Sequence, residues 1–181
     1  MTGPIKVLGL GNVLMTDDGF GPWVVEHLKA HYEFPASVEV VDLGTPGLDL
    51  VPYLADADTV VVIDTVKSTG APGELRRYRL DQILAHPPQP RLSPHDPGLK
   101  DTLLTLTLAG RAPREVIVVG AIPARVAMGN ALTPVLQAAV APAARIVVDE
   151  LVALGIEPSP KDEAGPVGPW WTREVPVAGA S

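Results

Sequence analysis

Short apolar runs of strand length alternate along the chain with segments whose apolar residues recur at helical spacing. Apolar runs predict buried strands at residues 5–10, 38–42, 59–65 and 115–120. The run at 59–65, TVVVIDT, is the most apolar and is rich in β-branched residues, which is typical of a central parallel strand buried on both faces. The run at 74–80, ELRRYRL, instead alternates apolar and charged side chains, which is typical of a half-exposed edge strand.

Helical spacing occupies most of the segments between these strands. We expect helices over about residues 19–32, 98–109 and 133–154, and a short one at about 48–54. The element order β-α-β-α-β-β-α-β-α predicts a protein of the α/β class, a three-layer α/β/α sandwich with a mixed, mostly parallel sheet of about five strands. The strand at 74–80 follows its predecessor too closely for a crossover helix, so it is predicted to be antiparallel to its neighbour.

The helical periodicity ends near Gly155. We therefore interpret residues 1–155 as a single α/β/α domain and residues 156–181 as a Pro/Gly-rich C-terminal tail. Trp170 and Trp171 are unusual in such a tail. They dock either on the domain or on a partner, or they belong to an extension without a role.

Composition excludes several classes of function. The formal net charge is -7 and no run of lysine or arginine occurs, which argues against nucleic acid as a partner. The chain has no cysteine, so disulfides, a cysteine nucleophile and thiolate metal sites are excluded. We see neither a signal-peptide pattern at the start nor an apolar stretch long enough for a membrane span, and we expect a cytoplasmic protein.

The stretch IKVLGLGNVLMTDDGFG joins the first strand to the first helix. Gly9 and Gly11 resemble the start of a dinucleotide fingerprint, but Leu14 stands where the third glycine belongs. Asp17 and Asp18 would also repel a phosphate at the helix start, so we reject nucleotide binding. One aspartate alone would be interpreted as a helix cap, whereas two beside a glycine turn favour cation binding.

Two further residues complete a candidate metal site with Asp18. Asp64 ends the apolar run at 59–65, and His95 lies in the proline-stiffened segment 86–97. Parallel strands end at one edge of a sheet, where ligands bind in open α/β folds. Two carboxylates and an imidazole suit a divalent ion such as nickel or zinc, and three ligands leave open positions. The alternatives are that Asp64 caps a local turn and that His95 is a surface residue.

Other chemistry is less favoured. The three arginines of 74–80 are better interpreted as a solvated strand face than as an anion site. Ser68 and Ser93 lie in polar turns, and no G-x-S-x-G elbow of a serine hydrolase occurs.

Five motifs occur in one order and spacing: GLGNVLMTDDGFG, DLGTPG, VIDTV, SPHDPGL and VGAIPARVAMGNALTP. Together they resemble the hydrogenase maturation endopeptidases over about residues 5–154. The resemblance implies the α/β/α fold and an activity that removes a short C-terminal peptide from the large subunit of nickel–iron hydrogenase after nickel insertion. Carried over by motif, the family's metal ligands fall on Asp18, Asp64 and His95. Some members have glutamate at the position of Asp18, whose shorter side chain moves the carboxylate by about one carbon–carbon bond.

This resemblance leads to a hypothesis of how the protein acts. The nickel is supplied by the hydrogenase large-subunit precursor, and Asp18, Asp64 and His95 complete its coordination. The peptide to be cleaved is positioned near Gly44, Thr45 and Gly47, whose backbone groups can pair with it. Any of the three ligands is a candidate catalytic residue, and the metal acts either in catalysis or only in recognition. The alternatives are a non-catalytic metal-binding maturation chaperone and a hydrolase of similar fold with another substrate.

Overall fold

The computed structural model describes residues 3–45, 50–85, 89–90, 98–165 and 171. Eight strands occur in this part of the chain: β1 Ile5–Leu10, β2 Tyr32–Glu33, β3 Val38–Gly44, β4 Thr59–Lys67, β5 Leu75–Arg79, β6 Gln89–Pro90, β7 Glu115–Ala121 and β8 Ser159–Pro160. Five α-helices accompany them: α1 Phe20–His31, α2 Val51–Leu54, α3 Leu80–Ala85, α4 Leu99–Leu108 and α5 Pro134–Ala153. A 3-10 turn, Thr16–Gly19, precedes α1.

The main sheet has the strand order β3-β1-β4-β7-β5, and β6 pairs with the carboxyl end of β4. Strands β3, β1, β4 and β7 are parallel, whereas β5 runs antiparallel to β7. This confirms the predicted α/β class and the mostly parallel sheet with an antiparallel edge strand. The neighbour of β5 is β7, however, and not β4, which precedes it in the chain.

Each face of the sheet is covered by its own helices. Side chains alternate along β4, so that Val61 and Ile63 pack against α1 and α5. Val60 and Val62 pack on the other face, against α2, α3 and α4. These two cores produce the three layers. Helix α3 was not predicted, because its short sequence LDQILA looks like a continuation of the strand before it.

Glycines allow α1 to approach the sheet closely. A Cβ atom on Gly21 would overlap the carbonyl oxygens of Leu10 and Ile63, and one on Gly9 would lie 2.7 Å from the carbonyl oxygen of Gly21. The start of α1 therefore lies directly against the carboxyl ends of β1 and β4. Gly9 of the predicted glycine turn therefore also allows the start of α1, which follows Asp17 and Asp18, to lie close to the sheet.

The described part of the tail packs along α1. Strand β8 pairs antiparallel with β2, and the backbone N–H of Gly165 donates to the carbonyl oxygen of Ala30 at 2.8 Å. The ring of Trp171 meets that of Trp23 edge-on, with centroids 6.1 Å apart. Trp171 thus contacts the domain, whereas Trp170 lies outside the described residues. None of the described helices combines the length and the apolar character needed to cross a bilayer.

The arginines of β5 have a partner that the sequence did not reveal. Arg77 and Arg79 donate to the two carboxylate oxygens of Glu150 on α5, at 2.7 and 2.8 Å. The Glu150 side chain is 5% exposed, whereas those of Arg77 and Arg79 are 56% and 43% exposed. The arginines on this face of β5 are therefore partly exposed to solvent, whereas the glutamate of α5 that pairs with them is buried.

Candidate active site

The loop after β1 holds Asp18 at the carboxyl edge of the sheet. Gly11, at φ +134°, turns the chain, and a side chain there would overlap the carbonyl oxygen of Asp18. The carboxylate of Asp18 is half-buried and accepts a hydrogen bond of 3.1 Å from the backbone N–H of Asn12. This bond joins the start of the loop to its end, so the turn at Gly11 and the hydrogen bond from Asn12 together determine the position of Asp18.

Asp64 lies at the same edge, near the end of the central strand. It is 4% exposed and stands opposite Gly120 of β7 in the parallel register. Its Oδ1 accepts a hydrogen bond of 2.6 Å from the N–H of Thr65, which fixes the orientation of the carboxylate. Alternation along β4 places this side chain on the face of Val60 and Val62.

Asp64 lies near the carboxyl end of β4, and Asp18 lies in the 3-10 turn of the loop that follows the neighbouring parallel strand β1. His95 lies outside the described residues. Nearest to it in the sequence before the gap, Gln89 and Pro90 pair with Lys67 and Val66, the last residues of β4. The last described residues before His95 are therefore paired with the strand that carries Asp64.

The two candidate ligands that the structure describes, Asp18 and Asp64, are suitable for a divalent cation. Carboxylate oxygens such as those of Asp18 and Asp64 are suitable ligands for such an ion. Within the described ranges no three His, Cys, Asp or Glu side chains are grouped closely enough to hold a metal ion. A third ligand would have to come from outside those ranges or from the substrate.

Gly44 and Thr45 lie beside the Asp18 loop. The carbonyl oxygen of Gly44 accepts a hydrogen bond of 2.8 Å from the N–H of Gly11. Gly44 has φ +56°, and its own N–H donates to Oδ1 of Asp42 at 2.8 Å. Thr45 is exposed, and Gly47 lies outside the described residues. The end of β3 is thus bonded directly to the loop that carries Asp18.

Asp17 has a role that the sequence did not reveal beyond a possible helix cap. It is fully buried and accepts hydrogen bonds from the segment between β7 and α5. Its donors are the backbone N–H groups of Ala124, Arg125 and Thr133, at 2.8, 2.9 and 2.7 Å, and the hydroxyl of Thr133 at 3.0 Å. The two neighbouring aspartates therefore differ in their contacts. Asp17 is hydrogen-bonded to the segment between β7 and α5, whereas Asp18 accepts a hydrogen bond within its own loop.

Thr16 adds further bonds between the same two segments. Its hydroxyl donates to the carbonyl oxygen of Arg125 at 2.9 Å and accepts from the N–H of Ala127 at 3.1 Å. Its N–H donates to the carbonyl oxygen of Gly129 at 2.8 Å, and its φ of +46° is unusual for threonine. We call residues 12–18 and 122–133 the clamp loops, because Asp17 and Thr16 bind one to the other.

The sequence and the α/β/α fold of this chain both match a defined class of enzymes. The family model "HycI: Hydrogenase maturation protease" matches residues 22–150. The chain belongs to the hydrogenase maturation protease family and is a peptidase, as the sequence motifs predicted.

Individual relatives are similar over nearly the whole domain. The Hydrogenase 2 maturation protease of Escherichia coli (strain K12) is 35% identical over 87% of this chain and 96% of its own. The hydrogenase expression/formation protein HoxM of Azotobacter vinelandii is 35% identical over 90% of this chain and 79% of its own. The solved structure of the hydrogenase maturating endopeptidase HybD from E. coli superposes with a TM-score of 0.79, covering 87% of this chain and 98% of that one at 35% identity.

Proposed function

We propose that this protein is the endopeptidase that removes the C-terminal extension of a nickel–iron hydrogenase large subunit after nickel insertion. The observation that supports the proposal is the position of Asp18, in the loop after β1, and of Asp64, near the end of the adjacent parallel strand β4, in a chain that belongs to a maturation protease family. The nickel is part of the substrate in this proposal, since it arrives bound to the precursor.

Each candidate ligand has its own task. The carboxylates of Asp18 and Asp64, together with the imidazole of His95, complete the coordination of the ion that the precursor presents. A carboxylate already oriented by a backbone N–H, as in Asp64, loses little freedom on binding, which favours recognition. The metal thereby makes cleavage conditional on loading, whether or not it also assists the attack on the peptide bond.

The extension itself binds at the end of β3. Gly44 and Thr45 present small side chains next to the Asp18 loop at the end of β3, which is an edge strand of the sheet, and Gly47 follows them in the sequence. An extended peptide can pair with such a strand end through main-chain hydrogen bonds. The bond between Gly11 and Gly44 holds this strand end next to the residues that meet the metal.

The test is the intact mass of the large subunit co-expressed with the protease, with and without nickel. We expect the extension to be removed only when both wild-type protease and nickel are present. Asp18→Ala, Asp64→Asn and His95→Ala are each expected to slow processing at least about a hundredfold, because each removes a bond to the ion. The exposed carboxylate of Asp81 on α3 provides the control, and Asp81→Ala should process normally.

The outcomes separate this proposal from its alternatives. A non-catalytic maturation chaperone would leave the extension in place at every nickel concentration. A hydrolase acting on another substrate would give the same mass with or without nickel. Processing at the normal rate by the Asp18 and His95 variants would contradict the assignment of the ligands but not the peptidase activity.

A further inference from the structure

Two large apolar side chains are exposed on the clamp loops. Leu14 is 63% exposed and Met128 is 88% exposed. They lie close together, because the N–H of Gly129, the residue after Met128, donates to the carbonyl oxygen of Leu14 at 3.0 Å. Met15 and Gly129 also form an isolated parallel bridge. The backbones at Leu14 and Met128 are therefore adjacent, and we call these two exposed apolar side chains the rim patch.

The backbone beneath the rim patch is held in place. Asp17 accepts hydrogen bonds from three backbone N–H groups of the second clamp loop, and the hydroxyl of Thr16 binds the backbone of Arg125 and of Ala127 in the same loop. Gly129 has φ +154°, a conformation that its missing side chain permits. Surfaces that are ordered before binding lose less entropy when a partner docks. The buried bonds thus present two exposed apolar side chains on a fixed backbone.

The rim patch belongs to the same loop as the candidate active site. Leu14 precedes Asp18 by four positions within the loop that the Asn12–Asp18 hydrogen bond closes. Two exposed apolar residues outside the clamp loops are Leu108 at the end of α4, 91% exposed, and Val152 at the end of α5, 49% exposed. Both helices end at the opposite, amino edge of the parallel strands.

The residue composition of the second clamp loop indicates the chemistry of a partner. Arg125 is its one charged residue, in a chain whose net charge is -7, and it is exposed. No carboxylate of the described residues forms an ion pair with it. Methionine and arginine are enriched in the centres of protein interfaces, where methionine adapts its shape to the partner. Such a surface fits an apolar protein face with an acidic group beside it.

We propose that the rim patch is the docking surface for the folded body of the large-subunit precursor, distinct from the bonds made to its metal and its extension. This inference rests on the proposed function. Leu14 and Met128 contact apolar surface on the precursor, and Arg125 meets a carboxylate there. Docking positions the loaded metal against the Asp18 loop, so that binding energy from outside the extension contributes to specificity.

Steady-state processing of purified, nickel-loaded precursor tests the proposal. The double variant Leu14→Ser/Met128→Ser should raise KM about tenfold and leave kcat within about twofold. The matched control is Leu108→Ser/Val152→Ser, which makes the same kind of change at the opposite edge and should leave both constants unchanged. All four side chains are exposed, so thermal melting should not distinguish the variants. An unchanged KM in the rim-patch variant would overturn the inference and leave the proposed function intact.

A photo-crosslinking side chain at position 128 or, as control, at position 108 gives a second measurement that does not depend on cleavage. We expect a crosslink to the precursor from position 128 only. Crosslinking from 128 without any processing by the wild type would support docking while refuting the proposed function. Equal crosslinking from both positions, or none from 128, would refute the rim patch.

Discussion

Replacing Asp17 by alanine removes the bonds that join the clamp loops. The buried carboxylate accepts four hydrogen bonds, three from backbone N–H groups and one from the hydroxyl of Thr133. A hydrogen bond to a charged group contributes about 1.5–3 kcal/mol, and a buried donor left without its acceptor costs about 1–3 kcal/mol. Four such losses would sum to about 6 kcal/mol or more if they were independent.

Water entering the space of the missing carboxylate will satisfy some of these donors, so the expected cost is smaller than the sum. We expect Asp17→Ala to lower the free energy of unfolding by about 3–5 kcal/mol, a large share of the roughly 5–15 kcal/mol typical of a domain. For a chain of this size, each kcal/mol corresponds to about 2–4 °C in Tm, so Tm should fall by about 10 °C.

Urea unfolding followed by circular dichroism measures this free energy. Within the part of the chain that the structure describes, the exposed Asp149 pairs with Arg145 on the same helix, at side-chain exposures of 64% and 72%, so Asp149→Ala should cost no more than about 0.5 kcal/mol. A double-mutant cycle adds a second check, since Thr133→Val should cost about 1–2 kcal/mol in the wild type and much less after Asp17→Ala. A cost below about 1 kcal/mol for Asp17→Ala would refute the clamp.

Two further predictions concern other charged groups. Glu150 is buried, and its arginine partners are about half exposed. The double variant Arg77→Ala/Arg79→Ala leaves a buried charge without partners and should lower the free energy of unfolding by about 3 kcal/mol, whereas Glu150→Leu should lower it by less than about 1 kcal/mol. Equal losses of stability in urea unfolding would contradict this prediction. Burial and the neighbouring His31, whose ring stacks on that of His27, lower the pKa of His27 below its ordinary value of 6.5. The unfolded chain then binds this proton more readily, so stability should fall as pH drops below about 6.5, and a His27→Gln variant should show a weaker fall.

The parts of the fold that could be predicted depend on local patterns. The apolar run of β4 and the helical spacing of α5 each contain their own signal, and both were found within about two residues of their observed ends. No local sequence pattern indicates that β7 lies between β4 and β5 in the sheet. This arrangement results from pairing between segments far apart in the chain.

The same distinction applies to the site. Asp18 and Asp64 could be proposed from their places at the ends of predicted elements, because parallel strands bring such ends to one edge. Asp17 could not be distinguished from Asp18, since its partners Ala124 and Thr133 lie more than about a hundred positions away and use backbone N–H groups that any residue type provides. The assignment of His95 stays a prediction, as it lies outside the described residues.

The position of β7 in the sheet also matters while the protein is being synthesised. The apolar strand β4 leaves the ribosome before the strand that will pair with one of its sides, and β5 leaves with its future neighbour still missing. Until Glu115–Ala121 has been translated, the valine-rich strand β4 has unpaired backbone N–H and C=O groups along one side. A nascent chain in this state is a natural client for a chaperone that binds extended apolar segments, and its yield in expression should depend on how quickly the second half follows.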